Sequence, residues 1–399
     1  MEARNELRDR LARVAVEYGA NIQPGQVVNV NAEHGQHELA RAIAAHAYRC
    51  GAQFVDVWYF DPHVKRARIE HAAEDTLGYV PPWYGKRALD VSELHGSLIS
   101  IAGPTAPGLL GDLDAARVGR DLLPRIKENF EVINRNASTW VVLPGPVEGW
   151  ARQVYPDAED PLDKLWDQVA HVCRLDTDDP VAAWRERFGQ TAEIGRRLME
   201  LELDAVHFDG PGTDLTIGLL PTSKWRNANE TTVDGVDYVP NLPSEELTST
   251  PDPERADGVV RSTRPLVLSD GTLIDGITVR FEGGRAVELD AEVGGDALRG
   301  RTSIDKGARR LGEVALVDRE GRIGPLGTVF YNTLLDENAA SHLALGGAYE
   351  SLVGAEDLDK INRSDLHLDF MIGSDEVAVT GITRDGSRVP ILRGGSWQI

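Results

Sequence analysis

The chain has almost no cysteine, with only Cys50 and Cys173 among 399 residues. They lie far apart in no ligand spacing, so neither a disulfide framework nor a cysteine-type zinc site is expected. Long apolar runs are missing too. Nothing approaches the roughly 18 residues that a membrane-spanning helix requires. The opening Met1-Glu2-Ala3-Arg4-Asn5-Glu6-Leu7 lacks the basic-then-apolar order of a signal peptide. A cytoplasmic location without a membrane partner is therefore expected. Positive charge is scarce: 42 Lys and Arg face 64 Asp and Glu, a net charge of −22. Nucleic acid is an unsuitable partner for such a chain, because phosphate binding needs a basic patch. The field would attract cations instead.

Several catalytic signatures are also absent. Gly210-Pro211-Gly212-Thr213-Asp214 faintly resembles a phosphate loop, but it lacks the Lys-Ser/Thr ending and feeds a β run. His37-Glu38 opens like a zincin helix, yet the second histidine is missing. No Gly-x-Ser-x-Gly elbow occurs. Nucleotide, serine and cysteine mechanisms are thus disfavoured.

What is present is an ordinary globular composition, 41% apolar and 27% charged, enough for a sizeable core. Strand and helix patterns alternate from residue 27 to about 144. Val27-Val28-Asn29-Val30, Phe54 to Phe60, Ser97 to Ala102 and Trp140 to Leu143 read as strands, with helices between them. Such alternation predicts βαβ units and a parallel sheet. Helices fill 147–200. From about residue 203 short alternating runs are separated by Gly, Asp and Pro, which predicts antiparallel β structure. Hairpin turns are expected at Ser269-Asp270-Gly271-Thr272 and Glu282-Gly283-Gly284-Arg285. Helices are expected near 302–311 and over 337–353. Strands are expected at Val314–Val317, 366–372 and 377–382. The fold class is thus an α/β N-terminal domain with a mostly parallel sheet, residues 1–200, followed by a mixed α+β domain, residues 201–399.

The second half carries the chemistry. In His367-Leu368-Asp369 the two polar residues share a strand face, about 7 Å apart at Cα. They can direct an imidazole and a carboxylate at shared metals. His342 and Tyr349 would sit two turns apart on one face if their segment is helical. Glu313 opens the apolar strand Val314-Ala315-Leu316-Val317, where a carboxylate is costly unless paired or metal-bound. Asn241-Leu242-Pro243-Ser244-Glu245-Glu246 presents adjacent acids, of which an extended chain turns only one toward a given site.

In this order, the segments resemble the M29 metallopeptidase family, the aminopeptidase T and aminopeptidase S type. The resemblance is strongest from Gly212-Thr213-Asp214-Leu215 to Met371-Ile372-Gly373. It includes Leu311-Gly312-Glu313-Val314-Ala315-Leu316-Val317, Glu337-Asn338-Ala339 with His342, and His367-x-Asp369. It implies metal ligands at Glu246, Glu313, His342, His367 and Asp369, and an active-site tyrosine at Tyr349. Glu337 matches a recurrent family position as general base, outer support or amine anchor. One departure stands out. The family often has Gly before the ligand Glu and an aromatic two residues after it; here those places hold Glu245 and Thr248. The resemblance further implies a metal-binding C-terminal domain and a homodimer.

Five ligands exceed the three that a catalytic zinc takes from protein. They suit two divalent ions bridged by a carboxylate, Glu313 or Asp369. Zinc, cobalt, manganese or magnesium would fit such donors. Peptides with a free N-terminus are the expected substrates. Rival readings are another two-metal amide or ester hydrolase and a non-catalytic metal-binding protein.

Overall fold

The computed structural model describes residues 2–121, 123–124, 127–268 and 272–399. The chain divides into two compact units, Met1–Arg185 with Asn229–Pro243, and Glu186–Ala228 with Ser244–Ile399.

The first unit is α/β. Its helices are α1 (Glu2–Val14), α2 (His37–Arg49), α3 (Pro62–His71), α4 (Pro82–Glu93), α5 (Ala115–Arg120), α6 (Lys127–Arg135), α7 (Glu148–Val154) and α8 (Pro161–Val172). Strands β1 (Val27–Glu33), β2 (Phe54–Phe60), β3 (Ser97–Ala102) and β4 (Thr139–Pro144) form an all-parallel sheet in the order β2-β1-β3-β4. Parallel strands need a crossover between them, and the helices supply it. Asp61 caps α3 by accepting from the His63 amide at 2.8 Å, and Pro62 occupies its first position. The short hairpin of β7 (Glu230–Thr231) and β8 (Asp237–Tyr238) also belongs to this unit.

Helix α9 spans Pro180–Glu200. In the second unit an antiparallel eight-stranded sheet runs β14-β13-β10-β6-β5-β18-β19-β20. Its members are β5 (Leu203–Gly210), β6 (Thr213–Leu219), β10 (Pro251–Arg261), β13 (Thr278–Glu282), β14 (Arg285–Asp290), β18 (Ala378–Thr383), β19 (Arg388–Arg393) and β20 (Ser396–Trp397). The predicted β13–β14 turn is present. Gly283 and Gly284 have φ of +51° and +76°, the paired left-handed residues that a tight hairpin demands. A small ribbon, β11 (Leu266–Val267) with β12 (Leu273–Ile274), flanks the other predicted turn, of which 269–271 lie outside the described residues.

The second sheet of this unit holds β9 (Glu246–Ser249), β15 (Leu311–Val317), β16 (His342–Gly346) and β17 (His367–Met371) in the order β17-β16-β15-β9, all antiparallel. Side chains alternate between the two faces of a strand. One face sends Leu247, Val314, Leu316, Leu343, Leu345, Leu368 and Phe370 into the apolar core of the unit. The other face carries the polar residues of interest.

Two predicted helices are corrected. Residues 302–311 pass through a single turn at Gly307–Arg309 into β15, while helix α10 sits earlier, at Gly295–Arg301. The segment 337–353 is not a helix. After the four-residue α11 (Thr333–Asp336) and a short turn, it becomes strand β16. Ala and Leu are good helix formers, but intrinsic propensity is a small preference that tertiary context overrides, and the alternation in His342-Leu343-Ala344-Leu345-Gly346 gains more by burying both leucines in a sheet. Among the described residues no helix is long and apolar enough to cross a membrane.

Candidate metal centre

Pairing register aligns the polar residues. Glu313 on β15 faces Ala344 on β16, which faces Asp369 on β17. The small Ala344 leaves the space between the two acids open. Glu246 pairs across from Val317, His342 from Ala315, and His367 from Gly346. Four adjacent strands thus contribute to one face.

Two triads result, Glu246 with Glu313 and His342, and Glu313 with His367 and Asp369, each with donor atoms within 4.8 Å of one another. Glu313 belongs to both. His342 Nε2 lies 3.1 Å from Glu246 Oε2. His367 Nε2 lies 3.1 Å from Glu313 Oε2 and 3.3 Å from Asp369 Oδ1. Glu245 turns the other way and pairs with Arg187 at 2.6 Å, so of the two neighbouring acids only Glu246 joins the cluster.

Both imidazoles are oriented from behind. His342 Nδ1 donates to the Ala340 carbonyl at 3.1 Å, and His367 Nδ1 to the Gly347 carbonyl at 2.9 Å. A carbonyl can only accept, so each Nδ1 carries a proton and each Nε2 is left to face the acids. This arrangement is common behind metal-binding histidines. Thr248, where the family often has an aromatic, donates its hydroxyl to Glu313 Oε1. Sequence reasoning noted Thr248 only as a departure; its register position, two residues beyond Glu246 on the same face, was the available signal.

Tyr349 follows β16 in a loop, and its hydroxyl lies 3.4 Å from His367 Nε2. Tyr349 as a residue is 47% exposed, and the His367 side chain 30%, so these two form the open lip while Glu246, Glu313, His342 and Asp369 form the buried floor. The helical spacing expected for His342 and Tyr349 is absent. Gly346 ends β16 at φ +110°, and the irregular segment after it places the Tyr349 ring 5.1 Å from that of His367.

The electrostatics are those of crowded acids. Burial alone would lower the His342 imidazole. The hydrogen-bonded Glu246, with Glu313 and Asp369 nearby, reverses this and pushes it up to about 10. Burial likewise opposes the charge on His367, but Asp369 and Glu313 hold its imidazole well above the ordinary value. Burial raises the Glu246 carboxyl, and raises that of Glu337 further with help from Asp369 and Glu246. Asp369 resists burial because both histidines face it, and it stays below the usual range.

These residues fit divalent cations. Asp369 Oδ1 is buried and lacks a well-aligned hydrogen bond, its contact being His367 Nε2 at 3.3 Å, which leaves acceptor capacity for a cation. Three carboxylates converge on two imidazoles, and Glu337 adds a fourth acid nearby. Carboxylate oxygens and imidazole nitrogens are the donors such ions accept.

Comparison with known proteins agrees with the fold. A sequence profile described as Thermophilic metalloprotease (M29) matches residues 4–397. The chain belongs to the M29 metallopeptidase family, whose members are peptide hydrolases. It is 38% identical over 410 aligned positions to Aminopeptidase T of Thermus aquaticus, covering 100% of both chains. It is 37% identical over 402 positions to Aminopeptidase 2 of Geobacillus stearothermophilus, covering 98% of this chain and 97% of that one. The solved structure of wild-type AmpT from Thermus thermophilus superposes with a TM-score of 0.93 at 37% identity, over 100% of both chains.

Proposed function

We propose that this protein is a metal-dependent aminopeptidase that removes N-terminal residues from peptides at a centre of two divalent ions. The observation that carries the two-ion reading is the shared membership of Glu313 in both triads. Glu246 and His342 would hold one ion, His367 and Asp369 the other, and Glu313 would serve both. Divalent ions held there supply Lewis acidity, which polarises a carbonyl and makes a water nucleophilic near neutral pH.

The protein's own groups do the rest. Tyr349 stands at the lip with its hydroxyl toward the cluster. It would donate a hydrogen bond to the carbonyl oxygen as charge develops there, a contact worth roughly 3–4 kcal/mol in other hydrolases. Glu337, whose carboxyl is raised by burial and by neighbouring acids, is suited to take a proton and return it to the leaving amine. The acid-rich floor favours a cationic α-amino group, which would restrict cleavage to the first residue. Zinc, cobalt, manganese or magnesium would serve as the ion. The same reading takes residues 201–399 as the catalytic metal-binding domain, residues 1–200 as its α/β companion, and the protein as a cytoplasmic homodimer.

The test pairs metal analysis with hydrolysis of an aminoacyl reporter. Chelation should abolish turnover and a divalent ion should restore it. An N-blocked peptide should remain uncut. Full activity after complete ion removal would end the metal reading, and cleavage of the blocked peptide would end the exopeptidase reading.

A further inference from the structure

Behind the floor of the site lies a second charged cluster, as buried as the first. Arg187, on α9, directs Nε to Glu245 Oε2 at 2.6 Å. Its two terminal nitrogens reach Asp318, Nη2 to Oδ1 at 2.8 Å and Nη1 to Oδ2 at 3.3 Å. All three side chains are at most 6% exposed. Asp318 also accepts the indole N–H of Trp397 and the amides of Glu320 and Gly321, the latter two at 3.1 and 3.0 Å. The backbone amide of Glu245 donates to Asn338 Oδ1 at 2.7 Å.

The position of this cluster is informative. Glu245 immediately precedes Glu246. Asp318 immediately follows β15, the strand of Glu313. Asn338 immediately follows Glu337. One guanidinium therefore ties together the chain segments that carry Glu246 and Glu313, and the Glu245 amide ties in the segment of Glu337. Stability alone is a weak reason for such a cluster, because burying charges costs several kcal/mol per ion and apolar replacements are often as stable. A demand for fixed geometry explains it better. Neighbours in an extended chain point in opposite directions, so anchoring Glu245 fixes the direction in which Glu246 leaves the backbone.

We propose that Arg187, Glu245 and Asp318 form a positioning clamp that acts through Glu246, holding its carboxylate against His342 for the ion on that side of the centre. The inference rests on the two-ion reading above. All three residues are buried away from solvent and act only through the residues they hold. Their effect falls chiefly on the affinity of the ion that Glu246 serves, a selectivity that a general packing role would not produce.

The test titrates metal-free protein with cobalt(II), followed by calorimetry and visible absorption, so that each ion is read without turnover. The variant combines Arg187→Met, Glu245→Gln and Asp318→Asn, which removes all three charges while nearly keeping volume. Its metal-free form should melt within a few degrees of the parent. One cobalt should bind as in the parent. The other, identified as the step that His342→Ala abolishes, should bind about 10–100-fold more weakly, as when outer supports are lost elsewhere. Parental affinity at both steps, or equal weakening of both, would overturn the clamp. Should the triple variant not fold, Glu245→Gln alone keeps shape and an acceptor for Arg187. It should weaken the same step roughly tenfold, and an unchanged step would refute the clamp. A parent that binds a single ion refutes the two-ion reading instead, and the clamp then stands or falls on that ion's affinity. A parent that binds no cobalt removes the metal reading and the clamp together.

Discussion

At the scale of single residues, the centre brings two imidazoles against three carboxylates. Each Nε2 faces carboxylates at 3.1 Å, and those acids, against the effect of burial, push the His342 imidazole up to about 10. Ion uptake must displace the proton this favours, so loading should release protons and strengthen with pH. The stability of the metal-free protein should follow the opposite course. A histidine raised from 6.5 to about 10 on folding contributes fully below the lower value and loses that contribution as pH rises through the higher one. The melting temperature of chelated protein should therefore fall between pH 6.5 and 10, and His342→Ala should flatten that slope. Tyr349→Phe removes a hydroxyl at the lip but no donor of either triad. It should keep its full metal content while kcat falls roughly 100- to 1000-fold; parental rates would take Tyr349 out of the mechanism. Asp369→Ala, by contrast, should lower the metal content itself, as measured by elemental analysis.

At the scale of elements, the site depends on four strands in one register. Gly312 shows how tight that packing is. A Cβ there would lie 2.3 Å from the Gly346 carbonyl and 2.4 Å from that of Gly347, and the Gly347 carbonyl is the one that orients His367. Gly312→Ala should cost about 1–3 kcal/mol, as other overpacked cores do, read by urea unfolding. It should also reduce turnover, because the strain falls on the loop that leads to Tyr349. The same sheet explains what was legible in the sequence. Glu313 before an apolar strand, and His367-Leu368-Asp369 in alternation, already display the period of a strand. His342-Leu343-Ala344-Leu345 alternates too, but its residues are also good helix formers, and only pairing with β15 and β17 decides between the two.

At the scale of the whole molecule, the net charge of −22 bears on encounter with substrate. An acidic field raises the local concentration of cations, and salt screens it over about 10 Å at 0.1 M. For an aminoacyl amide with a protonated amine, kcat/KM should fall roughly three- to tenfold between about 20 mM and about 0.5 M salt, with little change in kcat. Insensitivity to salt would confine substrate recognition to short-range contacts. The division into units was less legible than the elements within them. Asn229–Pro243 belongs with the first unit although it follows α9 in sequence, and composition carries no mark of that return.

Local pattern was enough for the alternating strands and helices of the first unit, the Gly283-Gly284 hairpin and the apolar rows of the second, because periodicity and turn chemistry act between near neighbours. The family resemblance lay in short motifs whose order survives in one dimension. Folding alone decided that Glu246 faces His342 while Glu245 meets Arg187, that Ala344 separates Glu313 from Asp369, and that Thr248 reaches Glu313. Each of these is a contact between strands distant in sequence, and strand register is set by how a whole face buries its leucines, which no single segment encodes.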